Sequence, residues 1–339
     1  MEQGARSTGR ADMSDAKLKT SAMIASIASE GDRTVDAPFG HALVELAQSR
    51  PDLVGMTADL GKYTDLHIFA AAFPDRYYQM GMAEQLLMAS AAGMAREGFM
   101  PFVTTYAVFA ARRAYDFIYM AIAEDRLNVK IVCALPGLTT GYGPSHQATD
   151  DLAIFRAMPG LTIIDPCDAL DISQATAAAA AHDGPVYIRL LRGKVPVVLD
   201  EFDYRFELGK AKLLLDGKDV IFITSGLLTK RALEACAALG PDRIGAGVLH
   251  VPTIKPLDEE AIVVALSRPG RLVVVAENHS IIGGFGEAVL SLAARRRVGT
   301  RIEHIGLPDA FLDAGALPTL HDRYGISTAS IVAKVKSWL

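Results

Sequence analysis

The chain contains 339 residues, of which half are hydrophobic, and its formal net charge at pH 7 is −5. This length predicts two domains of ordinary size, each with its own hydrophobic core. The mild charge argues against nucleic acid as a partner, because there is no basic field to attract phosphates. The polar beginning of the sequence lacks the apolar segment of a secretory signal, and no apolar run reaches membrane-spanning length. We therefore expect a cytoplasmic protein without a membrane partner.

The three cysteines, Cys133, Cys167 and Cys236, are far apart in the sequence and form no CxxC pair. This spacing argues against a disulfide framework or a zinc site, and it is typical of small core residues in a reducing compartment. No set of metal ligands is therefore predicted on this chain.

Predicted helices and strands alternate along the first part of the chain. Helices are predicted at Ala16 to about Ser29, Phe39 to Gln48, from Ala83 onward, and about Tyr106 to Glu124. Strands are predicted at Leu53–Met56, Met100–Thr104, Val129–Ala134, Thr162–Asp165 and Val186–Leu190. Strands separated by helices of this length indicate parallel βαβ units and a doubly wound sheet.

The segment LLRGKVPVVLDEFDYRFELGKA, rich in Gly, Pro and alternating charge, interrupts this pattern and predicts a domain boundary near Val195 to Arg205. A second α/β series follows, with strands at Val220–Thr224, Gly245–His250, Leu272–Ala276 and Arg301–Ile305 and helices at Leu227–Leu239 and from about Gly284. The predicted division is an N-terminal tail and helix (1–33), a first domain (34–195), a linker (196–206) and a second domain (207–339).

A single carboxylate, Glu84, lies in the otherwise apolar or small stretch YQMGMAEQLLMASAAG. From Ala83 this stretch has the composition of a buried helix. The ordinary explanation of such a glutamate is a first-turn residue that the helix dipole favours.

Three further segments contain residues that could do chemistry. In TTYAVFAARRAYDF, Tyr106 and Phe109 share one face of a helix if the helix has begun, which is also typical of core packing. GLTTGYGPSHQATDD is a glycine-rich loop that contains His146 and precedes an acidic helix start. AENHSIIGGFGEA contains His279 and paired glycines, but its spacing fits neither GxGxxG nor a Walker loop, so a phosphate site is only weakly indicated.

Taken in order, these segments, together with GPVYIRLLRGKVP and HVPTIKPLDEEAI, resemble the C-terminal half of transketolases from about Thr34 to the end of the chain. In particular, the chain resembles the C-terminal subunit of two-subunit transketolases, whose diphosphate-binding half is a separate polypeptide. The resemblance implies two doubly wound α/β domains. The first is a mostly parallel pyrimidine-binding thiamine diphosphate fold, and the second is a smaller transketolase C-terminal domain.

The resemblance assigns a catalytic role to Glu84. It matches the glutamate that hydrogen-bonds N1′ of the aminopyrimidine of thiamine diphosphate and shares a proton with it, so that the cofactor's own imino group can remove the proton from C2 of the thiazolium. Its apolar neighbours Met80, Met82, Leu86 and Leu87 would strengthen that shared hydrogen bond.

The resemblance also assigns the other site residues. Tyr106 and Phe109 match the positions that wall the pyrimidine ring, with Arg112 in the same segment, and Asp59 and Leu60 match residues near the cofactor's rings. His146, a second catalytic candidate, matches a position that contacts the substrate near the reacting carbon. Ser145 and Tyr142 lie beside it in the same substrate-binding loop.

The sequence departs from the family where sugar-phosphate transketolases hold the substrate phosphate with two arginines, a serine and a histidine. Only Arg192 is kept, and the other positions fall on Asp36, Tyr63 and Ala134. Tyr142 stands where the family usually has an aspartate that contacts a substrate hydroxyl. Asp36 would repel a phosphate dianion, although Lys62 or the partner chain could supply another contact, so a ketose other than a standard pentose 5-phosphate is predicted.

The family binds Mg²⁺ and the cofactor diphosphate with a GDG motif and a later Asn, and these 339 residues contain no GDG. The resemblance therefore implies that a partner subunit carries the Mg²⁺ ligands, within a heterotetramer that acts on a sugar or sugar phosphate. Three alternatives remain open. They are the beta subunit of a 2-oxo acid dehydrogenase decarboxylating component, a deoxyxylulose-phosphate-synthase-like enzyme, and a non-catalytic regulatory subunit. The segment GPSHQATDDLA favours a transketolase or a deoxyxylulose-phosphate synthase over the first of these.

Overall fold

The computed structural model describes residues 27–29 and 31–339. The helix predicted from Ala16 to about Ser29 therefore lies almost wholly outside the described residues. Among the described residues, no helix combines the length and the apolar character needed to cross a membrane.

Fourteen strands and twelve α-helices are described. The strands are β1 (Thr34–Asp36), β2 (Leu53–Thr57), β3 (Tyr77–Gln79), β4 (Met100–Tyr106), β5 (Lys130–Ala134), β6 (Thr162–Ile164), β7 (Val186–Leu190), β8 (Lys194–Pro196), β9 (Lys212–Leu215), β10 (Val220–Thr224), β11 (Ala246–His250), β12 (Thr253–Lys255), β13 (Leu272–Ser280) and β14 (Ile302–Leu307). The helices are α1 (Pro38–Ser49), α2 (His67–Ala72), α3 (Glu84–Arg96), α4 (Ala107–Arg113), α5 (Tyr115–Phe117), α6 (Asp151–Arg156), α7 (Ala169–Ala181), α8 (Leu227–Leu239), α9 (Glu259–Ser267), α10 (Phe285–Arg295), α11 (Leu317–Arg323) and α12 (Thr328–Trp338).

The first domain is built on a seven-stranded sheet in the order β12-β6-β7-β5-β4-β2-β3. All neighbours in it are parallel except β12, which is antiparallel to β6. The central strands β2, β4, β5 and β7 are buried along their whole length, as expected for a parallel sheet covered on both faces. Strand β12 follows the linker in sequence, so one edge strand of the first sheet comes from the part of the chain after the linker.

The second domain contains a five-stranded sheet in the order β14-β13-β10-β11-β9, in which only the edge strand β9 is antiparallel. A small antiparallel pair, β1 with β8, joins the two ends of the first domain. The predicted two-domain α/β fold is confirmed.

Two local features differ from the predictions. The single helix predicted from Tyr106 to Glu124 is wrong: β4 extends to Tyr106, and α4, α5 and a π-helical turn (Ile118–Ala123) follow it. The backbone turns at Ala114, whose φ of −110° lies outside the helical range. Strand β13 is longer than predicted and ends at Ser280, so His279 is a strand residue.

Candidate active site

The candidate site lies at the carboxyl edge of the first sheet. Strands β7, β5, β4, β2 and β3 are adjacent and parallel, so the segments that follow them meet at one edge, which is where open α/β sheets bind ligands. These segments carry the residues predicted from the sequence: Asp59 and Leu60 after β2, Glu84 after β3, Tyr106 and Phe109 at the end of β4, Tyr142 and His146 after β5, and Arg192 after β7.

Glu84 is the first residue of α3, and its side chain is 4% exposed. Its Oε1 accepts a hydrogen bond from Arg113 Nη1 at 3.1 Å. The expected apolar surroundings are only partly present. Leu87 is buried, but Met82 and Leu86 are 82% and 51% exposed, because Met82 precedes the helix and Leu86 lies on a different helical face from Glu84.

The aromatic residues form one cluster, and Arg113 connects it to Glu84. The ring centroids of Tyr106 and Phe109 are 5.7 Å apart. The His146 ring lies 6.0 Å from Tyr106 and 5.4 Å from Phe109, with both pairs edge-on. Tyr106 is the last residue of β4 and Phe109 belongs to the first turn of α4, so a strand end and a helix start present two ring faces to the same space.

The surroundings of His146 favour its neutral form. Its Nδ1 is 2.9 Å from Ser145 Oγ. Burial, and then the positive charge of Arg113, lower the pKa of His146 below its usual value, which favours the neutral imidazole, a form that can give or take a proton.

Arg113 is a site residue that the sequence did not reveal. Its guanidinium carbon lies 3.8 Å from the centroid of the Phe109 ring, and the same group bonds Glu84. The adjacent Arg112 has different partners. It makes a two-point ion pair with Asp150, at 3.0 and 2.8 Å, and donates to Pro144 O at 3.2 Å. The described contacts of Arg112 therefore fasten the loop that carries His146, and its predicted contact with the cofactor stays a prediction.

Gln79 ties together the two loops that carry Asp59 and Glu84. Its Oε1 accepts from Asp59 N at 2.7 Å and from Gly81 N at 3.0 Å, and its Nε2 donates to Asp59 Oδ1 at 3.3 Å. Asp59 has a left-handed φ of 58°, a strained conformation that these hydrogen bonds hold in place. Leu60 packs against the first hydrophobic core.

Another part of the site contains Arg192 and two tyrosines, Tyr63 and Tyr142. The Arg192 guanidinium carbon is 5.9 Å from the Tyr63 ring centroid, and the Tyr142 ring is 5.1 Å from that of His146. Burial raises the pKa of Tyr142, so its hydroxyl remains a donor, and this buried oxygen has no hydrogen-bond partner among the described residues. Ala134 is buried at the end of β5 and offers no polar atom beyond its backbone.

The second domain fixes the His146 loop. Leu138 N donates to Asn278 Oδ1 at 2.9 Å, and Gln147 Nε2 donates to Asp313 O at 3.1 Å. Both acceptors belong to the second domain, so the position of His146 depends on how the two domains pack.

The glycine-rich segment after β13 is not an open phosphate loop. The Glu277 carboxylate accepts from the backbone N–H groups of Phe285 and Gly286, at 2.6 and 2.9 Å, and so occupies the N-terminus of α10. His304 Nε2 is 2.7 Å from the same carboxylate. His279 is buried between the domains, where its Nε2 accepts from Ala153 N at 3.2 Å.

One group of metal-ligating side chains lies away from this site. Cys167, Asp171 and His250 are buried together, but polar partners already surround them. His250 Nε2 is 3.0 Å from Asp171 Oδ2, and Tyr204 Oη donates to Asp171 Oδ1 at 2.7 Å. Because Asp171 is hydrogen-bonded to both His250 and Tyr204, we interpret this cluster as a polar link between the domains.

Known protein families match both domains. The transketolase pyrimidine binding domain matches residues 33–197, and the transketolase C-terminal domain matches residues 209–331. The chain therefore belongs to the transketolase family, and the recognition from its motifs is confirmed.

Several relatives have nearly the same extent. An uncharacterized transketolase family protein of Sinorhizobium fredii is 69% identical over 95% of this chain and 94% of its own length. A 6-deoxy-6-sulfo-D-fructose transketolase subunit of Clostridium sp. is 37% identical over 86% of this chain and 89% of its own. A solved split gene transketolase, described as an inactive beta4 tetramer, is 40% identical with a TM-score of 0.81, covering 89% of this chain and 96% of that one. The 1-deoxy-D-xylulose-5-phosphate synthase 1 of Geobacter sulfurreducens is 35% identical over 89% of this chain but only 47% of its own length.

Proposed function

We propose that this chain is the pyrimidine-binding subunit of a thiamine diphosphate-dependent transketolase, which moves a two-carbon ketol unit from a ketose to an aldehyde acceptor. The observation that carries the proposal is the buried carboxylate of Glu84, which Arg113 links to the ring of Phe109 in one cluster with Tyr106 and His146.

The described residues fit an aminopyrimidine. Glu84 offers a buried carboxylate to a ring nitrogen, and Phe109 offers a ring face on which a flat group already stacks, since the Arg113 guanidinium lies 3.8 Å from its centroid. Thiamine diphosphate, when bound, would supply the carbon nucleophile for a ketose carbonyl.

The side chains of this subunit would have separate roles in the reaction. Glu84 binds the pyrimidine nitrogen and shares a proton with it. Tyr106 and Phe109 orient the ring and exclude water from its face. His146, whose surroundings favour its neutral form and which is held by Ser145, moves a proton at a substrate hydroxyl, an acid–base step usually worth roughly a hundredfold to ten-thousandfold in rate.

We further propose that the Mg²⁺ and diphosphate site lies on a second polypeptide, an N-terminal transketolase subunit, within a heterotetramer. Relatives of nearly the same extent support this, because one is named a transketolase subunit and another a split gene transketolase. The absence of a GDG motif from these 339 residues is consistent with it.

The partner dependence is tested by purifying the full chain alone and together with an N-terminal transketolase subunit encoded next to it. We expect weak binding of thiamine diphosphate and little or no turnover by the single chain, and ketol transfer by the pair. Turnover of a ketose by the single chain with Mg²⁺ and cofactor would contradict the split arrangement.

The substrate is proposed to differ from a standard pentose 5-phosphate. Asp36 and Tyr63 are in place of phosphate-binding residues, and Asp36 lies opposite Lys194, two residues from Arg192, in the β1–β8 pair. Charge-assisted contacts to a phosphate contribute roughly 1.5–3 kcal/mol each, so losing two or three of them would weaken binding by at least about a hundredfold. The Clostridium relative is named for a sulfonated ketose, which supports a donor whose far end is not a phosphate.

A second candidate is a deoxyxylulose-phosphate-synthase-like reaction, which the Geobacter relative favours. Such an enzyme consumes pyruvate with release of CO₂, whereas a ketol transfer releases none. Release of ¹⁴CO₂ from labelled pyruvate by the reconstituted pair, without any ketose turnover, would favour the synthase.

A further inference from the structure

Arg113 makes two contacts that resemble those of a bound planar ligand. Its guanidinium carbon lies 3.8 Å from the centroid of the Phe109 ring, which is the distance of a flat group stacked on an aromatic face. From that place its Nη1 donates to Glu84 Oε1 at 3.1 Å. A planar, positively charged N–C–N group thus stacks on the ring and bonds the carboxylate at the same time.

These are the two contacts that the proposed function requires of an aminopyrimidine. The aminopyrimidine is also planar, also carries an N–C–N unit, and would also bond Glu84 while it packs against the aromatic cluster. Because the Glu84 carboxylate is 4% exposed, the guanidinium and the pyrimidine would compete for it and for the Phe109 face.

The Arg113 side chain is free to leave. It is 51% exposed, and Arg113 is the last residue of α4. In its pair with Glu84, the guanidinium is half-exposed and the carboxylate is buried. Arg112, the neighbouring arginine, is fixed by Asp150 and by the carbonyl of Pro144, so a change at Arg113 leaves the anchoring of the His146 loop intact.

We propose that Arg113 is an internal stand-in for the aminopyrimidine, which holds Glu84 and Phe109 in their binding positions and is displaced when the cofactor enters. This inference rests on the proposed function. Arg113 is a positioning residue in this scheme, since it keeps the buried carboxylate paired and the Phe109 ring face covered while the pyrimidine is absent.

The size of the effect follows from the contacts that must break. The contacts that break are an ion pair between a half-exposed guanidinium and a buried carboxylate and the contact of the same cation with a ring, and we expect their joint loss to change the affinity of a competing ligand by about tenfold, which is about 1.4 kcal/mol. Removing Arg113 should therefore tighten cofactor binding, whereas removal of a residue with a merely structural or ligand-contacting role would weaken it.

The test compares the wild-type chain with Arg113→Ala and Arg113→Lys, each full length and reconstituted with the diphosphate-binding subunit. Arg96→Ala is the control, because Arg96 makes an exposed pair with Asp125 on the same domain. Dissociation constants for thiamine diphosphate with Mg²⁺ are measured by calorimetry. We expect Arg113→Ala to bind about tenfold more tightly than wild type, Arg113→Lys to lie between them because it keeps the charge and loses the flat face, and Arg96→Ala to match wild type.

An NMR signal gives a second readout that is independent of affinity. The Arg113 side-chain Nε–H resonance should be shifted by the ring current of Phe109 without cofactor and should return toward its free position when cofactor binds. An unchanged resonance, or binding by Arg113→Ala that equals or falls below that of wild type, overturns the inference about Arg113 alone. Absence of saturable cofactor binding in every variant and in wild type overturns the proposed cofactor as well.

Discussion

Replacing Arg189 with methionine should destabilise the protein by about 3–5 kcal/mol, the usual effect of breaking a buried ion pair. Arg189 is fully buried in β7. It binds both oxygens of Asp151, at 2.9 and 3.1 Å, as well as Asp165 Oδ2 at 3.1 Å and Asn278 O at 2.9 Å. Methionine would fill much of the space and leave two buried carboxylates without their positive partner.

The remaining hydrogen bonds place the expected loss near the lower end of that range. Tyr187 Oη donates to Asp151 Oδ2 at 2.7 Å, and Ser225 Oγ donates to Asp165 Oδ2 at 2.8 Å. Each carboxylate therefore keeps one donor after Arg189 is removed. Because Asn278 also holds the His146 loop, the same change should lower turnover of the reconstituted enzyme.

Urea unfolding of the single chain at pH 7 measures the effect. Arg96→Met is the control, because its partner pair is half-exposed and worth no more than about 1 kcal/mol. Combining Arg189→Met with Asp151→Asn should restore part of the stability, since one uncompensated charge is then removed. A loss below about 1 kcal/mol for Arg189→Met, or a double variant less stable than the single one, would refute the reasoning.

The remaining predictions concern pH and the substrate. Burial, and then the charge of Arg231, lower the pKa of His321 to about 4. The unfolded chain takes up that proton below about pH 6.5 and the folded chain does not, so stability should fall as pH drops from 6.5 toward 4, by about 2 kcal/mol at pH 5. Urea unfolding at pH 7 and pH 5 should show a flatter dependence for His321→Gln but not for His41→Gln at an exposed site, and equal slopes would contradict the assignment. Xylulose 5-phosphate should be a poorer donor than a non-standard ketose, and Arg192→Ala should raise the KM of the best anionic donor at least tenfold. If xylulose 5-phosphate is the best donor of a broad panel and its KM is unchanged in Arg192→Ala, both statements are wrong.

The architecture could be predicted because the central strands are continuous apolar runs between amphipathic helices. Two features could not be predicted. Strand β12 is short and partly polar, and only its pairing with Ile163 and Ile164 makes it a strand. The helix break after Arg113 is not marked by a proline or a glycine, so the sequence from Tyr106 predicts one continuous helix.

The site residues could be named from motifs, but their partners depend on helix phase. Arg112 and Arg113 are adjacent, and about 100° of helical rotation separates their directions. Helix α4 begins at Ala107, and this helical phase directs Arg113 toward Glu84 and Arg112 toward Asp150. Likewise, no local pattern indicates that Glu277 would cap α10 and fill the apparent phosphate loop.

The central claim is that Glu84 activates a bound thiamine cofactor, and hydrogen–deuterium exchange at C2 of the thiazolium tests it most directly. The exchange rate is measured by NMR in the reconstituted complex, with wild type and with Glu84→Gln, after unfolding experiments have shown that both are folded. We predict that Glu84→Gln slows exchange by roughly a hundredfold to ten-thousandfold. Exchange as fast as in wild type would return Glu84 to the role of an ordinary first-turn helix residue and contradict the account.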